Sequence, residues 1–448
     1  MKNGSNALAI RLQMIETAEQ SLDLQYYIYA ADRTGALFAE RLLAAADRGV
    51  RVRLLLDDIG NGLADFRVAA LAQHSNIHIR LFNPTTIRHP WLRYLSKVAE
   101  FGRINHRMHN KLMIVDSQMF ITGGRNIGDE YYELTERNFQ DLDVLGIGAV
   151  THEVVASFDE YWNSHKAVPI GRLAGNQGEG VLLELRQVLA RIAAHHADGP
   201  YMDAVRDSPY NDFPHGMPGV WRWGYADWLY DPPAKADPQD PRNRIPYVGR
   251  GLTSHVIAAE SELLLMTPYL IPGPQGEAML TRVADRIELR ILTNSLATTD
   301  VLAVHGNYAP YRARLLQGGV QLWELKPVAG QAEQARPFFN ESVASLHAKA
   351  FVFDRTTFFI GSINMDPRSI NLNTESGVLI SQPELAQEMA RLFELWTSDE
   401  YAYALSLNER GQLRWSSGDA MLTREPEASR LRRFGAWLIR WLPIEEHL

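Results

Sequence analysis

Two stretches of the sequence share one pattern: HNKLMIVDSQMFITGGRN at 109–126 and HAKAFVFDRTTFFIGSIN at 347–364. Each sets Lys two, Asp seven, Gly fourteen and Asn seventeen residues after a His. A pattern kept at five positions and repeated once constrains the fold strongly, because it asks for two halves built alike. The flanks agree in order. LDLQYYIY at 22–29 matches LLLMTPYLI at 263–271, VRVRLLLDD at 50–58 matches IELRILTNS at 287–295, and IHIRLFNP at 77–84 matches VQLWELKP at 320–327. All read as strands. Each motif is itself a strand pair, KLMIVD-SQ-MFITGG and KAFVFD-RT-TFFIGS. Helical patterns at 34–48, 62–73 and 307–317 separate the earlier strands, and both halves close alike, FDEYWNS at 158–164 and LFELWTS at 392–398. The expected fold is α/β: two tandem α/β/α lobes with pseudo-twofold symmetry and mixed, mostly parallel sheets. The expected boundaries are 1–172 and 251–420 for the lobes, 173–250 for an insert or linker, and 421–448 for a tail.

Composition narrows the function. With 448 residues, 46% hydrophobic and 22% charged, the chain can bury two ordinary cores. It has no cysteine, which excludes disulfides, thiolate catalysis and Cys-ligated zinc. A net charge of −8 argues against coating nucleic acid through a broad basic surface. No apolar run reaches the roughly 18 residues of a spanning helix, and the opening MKNGS leads into a helical pattern without the features of a secretory leader. Only seven of the 45 basic residues are lysines, yet Lys111 and Lys349 fill the same slot of the two motifs.

The chemistry follows from residue types. His109 and Lys111, like His347 and Lys349, point to one side of a strand by its two-residue period. Gly123-Gly124 and Gly361-Ser362 end the next strand, where a substrate can approach the backbone, and Asn126 and Asn364 supply amide donors. If the lobes pack about a pseudo-twofold axis, the copies meet in one site of two imidazoles, two Lys and two Asn. Such a site grips phosphate oxygens and suits a two-step displacement. One His attacks phosphorus and forms a phosphohistidine; the other protonates the leaving alcohol and then deprotonates the acceptor. The lysines repel a cation, and no carboxylate pair has metal spacing, so no metal or other cofactor is expected. Asp116 and Asp354 fall on the opposite strand face and read as structural turn caps. Each His still needs a carboxylate to fix its tautomer, and Glu375 and Asp141 are the candidates, with Asp143 a weaker rival to Asp141. Arg125 against Ile363 is a polar-for-apolar difference expected where substrate arrives, and so a guide to which half attacks.

At these residues the chain resembles the phospholipase D superfamily, whose signature is the duplicated H-x-K-x4-D with trailing Gly and Asn. QYYIYAADRTG, RMHNKLMIVD, GGRNIGDEYY, LTNSLATTDVLAVHGNYAPYR, SLHAKAFVFD, GSINMDPRSINLNTESG and the closing WLPIEEHL resemble bacterial cardiolipin synthases of the phospholipase D type. The resemblance implies a metal-independent phosphatidyl transfer. Phosphatidylglycerol is joined to a second phospholipid, phosphatidylethanolamine being one candidate, and cardiolipin is the product. By analogy His109 attacks and His347 is the acid/base, though the internal symmetry permits the reverse. Hydrolysis of headgroups by water, or of a nucleic-acid phosphodiester, uses the same motif; the acidic charge speaks against the last, and no nucleic-acid partner is expected.

Many cardiolipin synthases carry N-terminal membrane spans, and this chain shows none. Peripheral attachment to the bacterial inner membrane is expected instead. In RLRRFGAWLIRWLPIEEHL at 430–448, Leu431, Phe434, Trp437, Leu438, Trp441 and Leu442 share one helical face and Arg432, Arg433 and Arg440 fall opposite. That pattern fits a membrane interface and equally a helix docked on the protein's own core. RHPWLRYLSKVAEFGR at 88–103 is a second candidate contact, or an ordinary surface helix. The aromatic, Pro-rich part of the insert, WRWGYADWLYDPPAKADPQDPRNR, is expected to pack on a lobe or line a cleft. No motif marks an oligomer interface.

Overall fold

A computed structural model of the protein describes residues 1–448 except 61–64, 89–99, 176–177, 179, 212–220, 328–342 and 443. The first half contributes β1 (Ser21–Tyr26), β2 (Arg51–Asp57), β3 (Ile77–Phe82), β4 (Lys111–Val115), β5 (Met119–Gly123), β6 (Arg137–Gln140), β7 (Asp143–Ile147) and β8 (Ala167–Pro169). The remainder contributes β9 (Tyr225–Tyr230), β10 (Glu262–Met266), β11 (Glu288–Asn294), β12 (Gln321–Leu325), β13 (Val343–Leu346), β14 (Ala350–Phe353), β15 (Thr357–Gly361), β16 (Ser376–Ser381), β17 (Ala402–Leu407), β18 (Leu413–Ser417) and β19 (Ala420–Leu422). Two large sheets result, ordered β7-β5-β4-β1-β2-β3-β8 and β19-β18-β17-β12-β11-β10-β14-β15-β16-β9, with β13 and β6 forming a third of two strands. The large sheets are mixed, as expected. Their parallel pairings are those of β1-β2-β3 and β10-β11-β12, and the motif hairpins and sheet edges make antiparallel pairings the more numerous.

Helices cover both faces of each sheet. Gly4–Thr17 and Arg33–Asp47 pack on one face of the first and Val150–Asn163 on the other, which is why β1 is buried along its whole length. The helix Arg33–Asp47 starts where Asp32 accepts a hydrogen bond from Gly35 N at 3.0 Å. The expected single helix at 307–317 is two, Leu302–Tyr308 and Arg312–Gln317, because Pro310 interrupts the ladder.

The stretch expected as an insert or linker at 173–250 contributes to both lobes. Its helix Val181–His195 lies on the first lobe, burying Leu189 in that core, whereas β9 pairs antiparallel with β16 and closes the second sheet. Trp228 of β9 also donates to Ser157 Oγ of the first lobe at 2.9 Å, so this strand belongs to the contact between lobes. The second sheet likewise runs past residue 420, through β19.

The tail forms a helix at Arg430–Ile439, N-capped by Ser429. It lies against the helix Leu302–Tyr308 so closely that a Cβ on Gly306 would stand 2.8 Å from Ala436 O. Arg432 and Arg433 turn inward, Arg432 Nε donating to Leu296 O at 2.6 Å and Arg433 Nη2 to Glu425 O at 2.7 Å, whereas Arg440 is exposed with its guanidinium 4.9 Å from the Trp441 ring centre. Its apolar face turns outward, with Leu431 84% and Trp441 67% exposed. Of the stretch 88–103, residues 89–99 lie outside the described residues; Phe101 meets the His447 ring edge-on at 5.4 Å.

Candidate active site

Both motif hairpins turn through positive-φ pairs, Asp116-Ser117 and Asp354-Arg355, with a 3.0 Å hydrogen bond closing each turn. The Asp side chains reach back to the start of the neighbouring strand. Asp116 accepts from the N–H groups of Glu19, Gln20 and Ser21 at 2.7–3.0 Å, and Asp354 from those of Glu260, Ser261 and Glu262 at 2.7–3.2 Å. They hold the outer end of the hairpin, away from the histidines at its inner end.

The histidines are oriented across the lobes. His109 Nδ1 lies 2.9 Å from Glu375 Oε2, and His347 Nδ1 lies 2.6 Å from Asp141 Oδ2. Each motif thus takes its carboxylate from the other half. The backbone repeats the exchange: His109 N donates to Thr374 O at 2.9 Å and His347 N to Gln140 O at 2.8 Å. Around the second pair the contact extends into a two-stranded parallel sheet, β6 with β13. The lobes cannot part without disordering both histidines.

Further residues, absent from the motifs, fix this geometry. The last residue of β2, Asp57, accepts from Met108 N at 3.0 Å; the last residue of β11, Asn294, bonds Leu346 through both N–H (2.8 Å) and C=O (2.9 Å). Each therefore grips the residue before a histidine. Behind Glu375, Asp231 at the end of β9 accepts from Glu375 N at 3.0 Å and from Lys235 Nζ at 2.7 Å. Tyr27 meets His109 edge-on at 5.0 Å, and Tyr131 does the same to His347 at 5.2 Å. A signal for two of them existed: Asp57 and Asn294 occupy the same slot of the repeated strand, in LLLDD and ILTNS. Tyr27 lies in the repeated stretch 22–29, but its slot holds Pro268 in the second half, and Asp231, Lys235 and Tyr131 come from outside the matched stretches.

The glycine positions serve the carboxylates. A Cβ on Gly124 would stand 2.1 Å from Asp141 Oδ1, and Ser362, its counterpart, donates its hydroxyl to Glu375. A Cβ on Gly123 would meet Leu142 O at 2.2 Å and one on Gly361 would meet Ser376 O at 2.4 Å. At these four positions, expected to admit substrate, the neighbouring strand and its carboxylate approach closely. Asn126 accepts from Ile28 N at 3.1 Å and donates to Tyr131 Oη at 2.8 Å, so its amide holds the walls of the site. Asn364 is buried, and its Oδ1 has no hydrogen-bond partner among the described residues. Arg125 does not face arriving substrate. It is fully buried, bound to Asp143 at 2.9 Å and to Tyr131 O at 3.1 Å, and Asp143 is further held by Arg11 at 3.0 Å. Asp143 is thereby committed to arginines and leaves His347 to Asp141.

Electrostatics break the symmetry. Burial, with Lys111, Lys349 and His347 nearby, drives the pKa of His109 well below its ordinary value. Burial lowers His347 too, helped by Lys349, but Asp141 pulls the other way. Glu375 is pushed up to about 7 by burial, against the pull of Lys111. Burial acts on Asp141 as well, yet the charge and hydrogen bond of His347, with Lys349 and Arg125, hold it at about 2. Both lysines donate to the carbonyl of their own histidine at 2.5 Å, and burial lowers both, Lys349 to about 8. Both histidines are thus held toward the neutral form, His109 the more strongly, and the halves differ in their carboxyls, Glu375 being pushed up to about 7 and Asp141 held at about 2. Among the described residues no group of three or more His, Asp or Glu is placed to hold a metal ion.

Comparison with known proteins fits this site. The family described as Cardiolipin synthase, PLD-like domain matches residues 12–162 and 252–396. The chain is 37% identical to cardiolipin synthase C of Escherichia coli, covering 99% of this chain and 94% of that protein. It is 36% identical to an uncharacterized protein of Helicobacter pylori, over 87% of this chain and 77% of that one. A crystal structure of phosphatidylserine synthase from Haemophilus influenzae shares the fold, with TM-score 0.60 at 13% identity, covering 98% of this chain and 90% of that one. The chain belongs to the phospholipase D superfamily, within the cardiolipin synthase, PLD-like domain family.

Proposed function

We propose that the protein is a phosphatidyltransferase that makes cardiolipin from phosphatidylglycerol and a second phospholipid. One observation carries the reading: two buried imidazoles, each with the lysine of its own motif and the carboxylate of the opposite half, in a chain 37% identical to cardiolipin synthase C over nearly its whole length. His109, the more strongly held neutral, is the nucleophile. Its Nδ1–H donates to Glu375, leaving Nε2 to attack the phosphorus of the first lipid. The headgroup alcohol departs with the Nε2 proton of His347, whose charged form Asp141 stabilises. His347 then takes the proton of a glycerol hydroxyl on phosphatidylglycerol. That oxygen displaces His109 from phosphorus, giving cardiolipin and restoring neutral His109. Lys111, Lys349, Asn126 and Asn364 complete the site around the phosphoryl oxygens. Incubation with labelled phosphatidylglycerol, with and without phosphatidylethanolamine, is expected to give labelled cardiolipin. Phosphatidic acid as the main product would make water the acceptor and the protein a phospholipase D.

The lipids lie in a membrane, and the tail helix supports peripheral attachment, at the inner membrane by the resemblance. No helix among the described residues is long and apolar enough to cross one. A helix docked on its own core would bury Phe434, Trp437 and Trp441, whereas here the side of Arg432 and Arg433 is docked and the aromatic side is exposed. Replacing Phe434, Trp437 and Trp441 together by Ala is expected to weaken co-sedimentation with phosphatidylglycerol vesicles at least about tenfold while leaving the melting temperature unchanged. Undiminished binding would return the tail to a packing role.

A further inference from the structure

One cavity of the first lobe, of about 270 Å³, takes no part in the site described above. It lies between the sheet and its helical cover. Leu54 and Leu56 of β2 form its floor, with Ile79 of β3 beside them. Ala39 stands in one wall, and Leu185 and Leu189 of the helix Val181–His195 form the roof. The charged lining residues are at the rim or already committed. Arg67 and Glu184 are exposed, and Asp32 accepts from the N–H groups of Gly35 and Asp129. The Tyr29 hydroxyl donates to Gly35 O at 2.8 Å. What remains is an aliphatic interior.

Close-packed interiors leave few voids larger than a water molecule, so an apolar space this large has the character of a ligand site. Its mouth is built for an amphiphile. Phe66 there is 54% exposed, with the Arg67 guanidinium 5.8 Å from its ring centre. One wall residue is joined to the site through the backbone. Tyr29, in its wall, stands two residues after the Tyr27 ring that meets His109, and it pairs with Ile127, next to Asn126. Resting on the functional reading above, we infer that the cavity holds a single aliphatic acyl chain. The chain comes either from the phospholipid at His109 or from a separate lipid. The insert helix Val181–His195 is then the roof of a lipid site.

The test uses cis-parinaric acid, a fatty acid that fluoresces in apolar surroundings, titrated into the full chain and into Ala39→Leu and Ala39→Phe, which fill the cavity from its wall. Saturable binding by the wild type is expected, weakened at least about tenfold in Ala39→Phe and less in Ala39→Leu, in variants with wild-type circular dichroism. Binding that neither substitution alters, or no saturable binding at all, overturns the inference. The source of the chain is read from turnover of dihexadecanoyl- against dihexanoyl-phosphatidylglycerol. A ratio that falls in Ala39→Phe assigns it to the substrate; an unchanged ratio with parinarate binding lost assigns it to a separate lipid. Wild-type turnover of the dihexanoyl lipid, whose chains are too short to fill the cavity, tests the functional reading by itself.

Discussion

His109→Ala is expected to abolish phosphatidyl transfer, a loss of at least about 10⁴-fold, and to leave no lipid covalently attached to the protein. His347→Ala is expected to cost about 10²- to 10⁴-fold and to separate the two steps. With a phosphatidyl ester whose leaving group needs no proton, such as p-nitrophenol, the variant should still form the phosphohistidine at His109. It should then release it slowly, because nothing deprotonates the acceptor. The asymmetry rests on the partners: His347 sits 2.6 Å from a carboxylate held at about 2, and His109 sits 2.9 Å from one pushed up to about 7. Acid-quenched protein digested and scanned for a phospholipid-modified histidine decides the matter. Label retained by His109→Ala and missing from His347→Ala would exchange the two roles. Label in neither, with both variants fully active, would remove the shared site altogether.

How much of this could be read from the sequence depended on range. The repeat fixed the hairpins and the placement of Asp116 and Asp354 at their outer ends, because a strand's two-residue period and a two-residue turn are local facts. Glu375 and Asp141 were identifiable as the carboxylates a histidine needs. Their exchange between halves was not, since periodicity says which residues share a face and nothing about which face of the other lobe it meets. The same limit misplaced Arg125. It stands beside the motif's Asn, but its partners are Asp143 and the carbonyl of Tyr131, and it is buried behind the site. β9 was hidden for a different reason: the aromatics of its stretch announce packing on a lobe or a cleft, but only pairing with β16 makes Tyr225–Tyr230 a strand. Its Asp231 then supports Glu375 from behind, a role that no local pattern announces.

The two carboxylates, equivalent by the repeat, are expected to respond oppositely when made neutral. Glu375 titrates at about 7 in the folded protein against 4.5 ordinarily. Between those values the native state holds more protons than the unfolded chain, so this group's contribution to stability falls as pH rises through the window. Above it a buried charge remains, at a cost of a few kcal/mol. Glu375→Gln is therefore expected to melt higher than the wild type at pH 8 and to lose that advantage at pH 5. Asp141 is held at about 2 against 3.8, so its contribution is fully present above 3.8 and is lost as pH falls toward 2. Asp141→Asn is expected to melt lower than the wild type at pH 8. Both should lose about 10²- to 10⁴-fold in turnover, because an amide neither fixes the tautomer of its histidine nor stabilises an imidazolium. Wild-type kcat/KM should fall as pH drops through about 7, where Glu375 takes up its proton, and that limb should be absent from Glu375→Gln. Melting shifts of the same sign in the two variants at pH 8 would mean that the halves do not divide charge as a carboxyl pushed up to about 7 beside His109 and one held at about 2 beside His347 require.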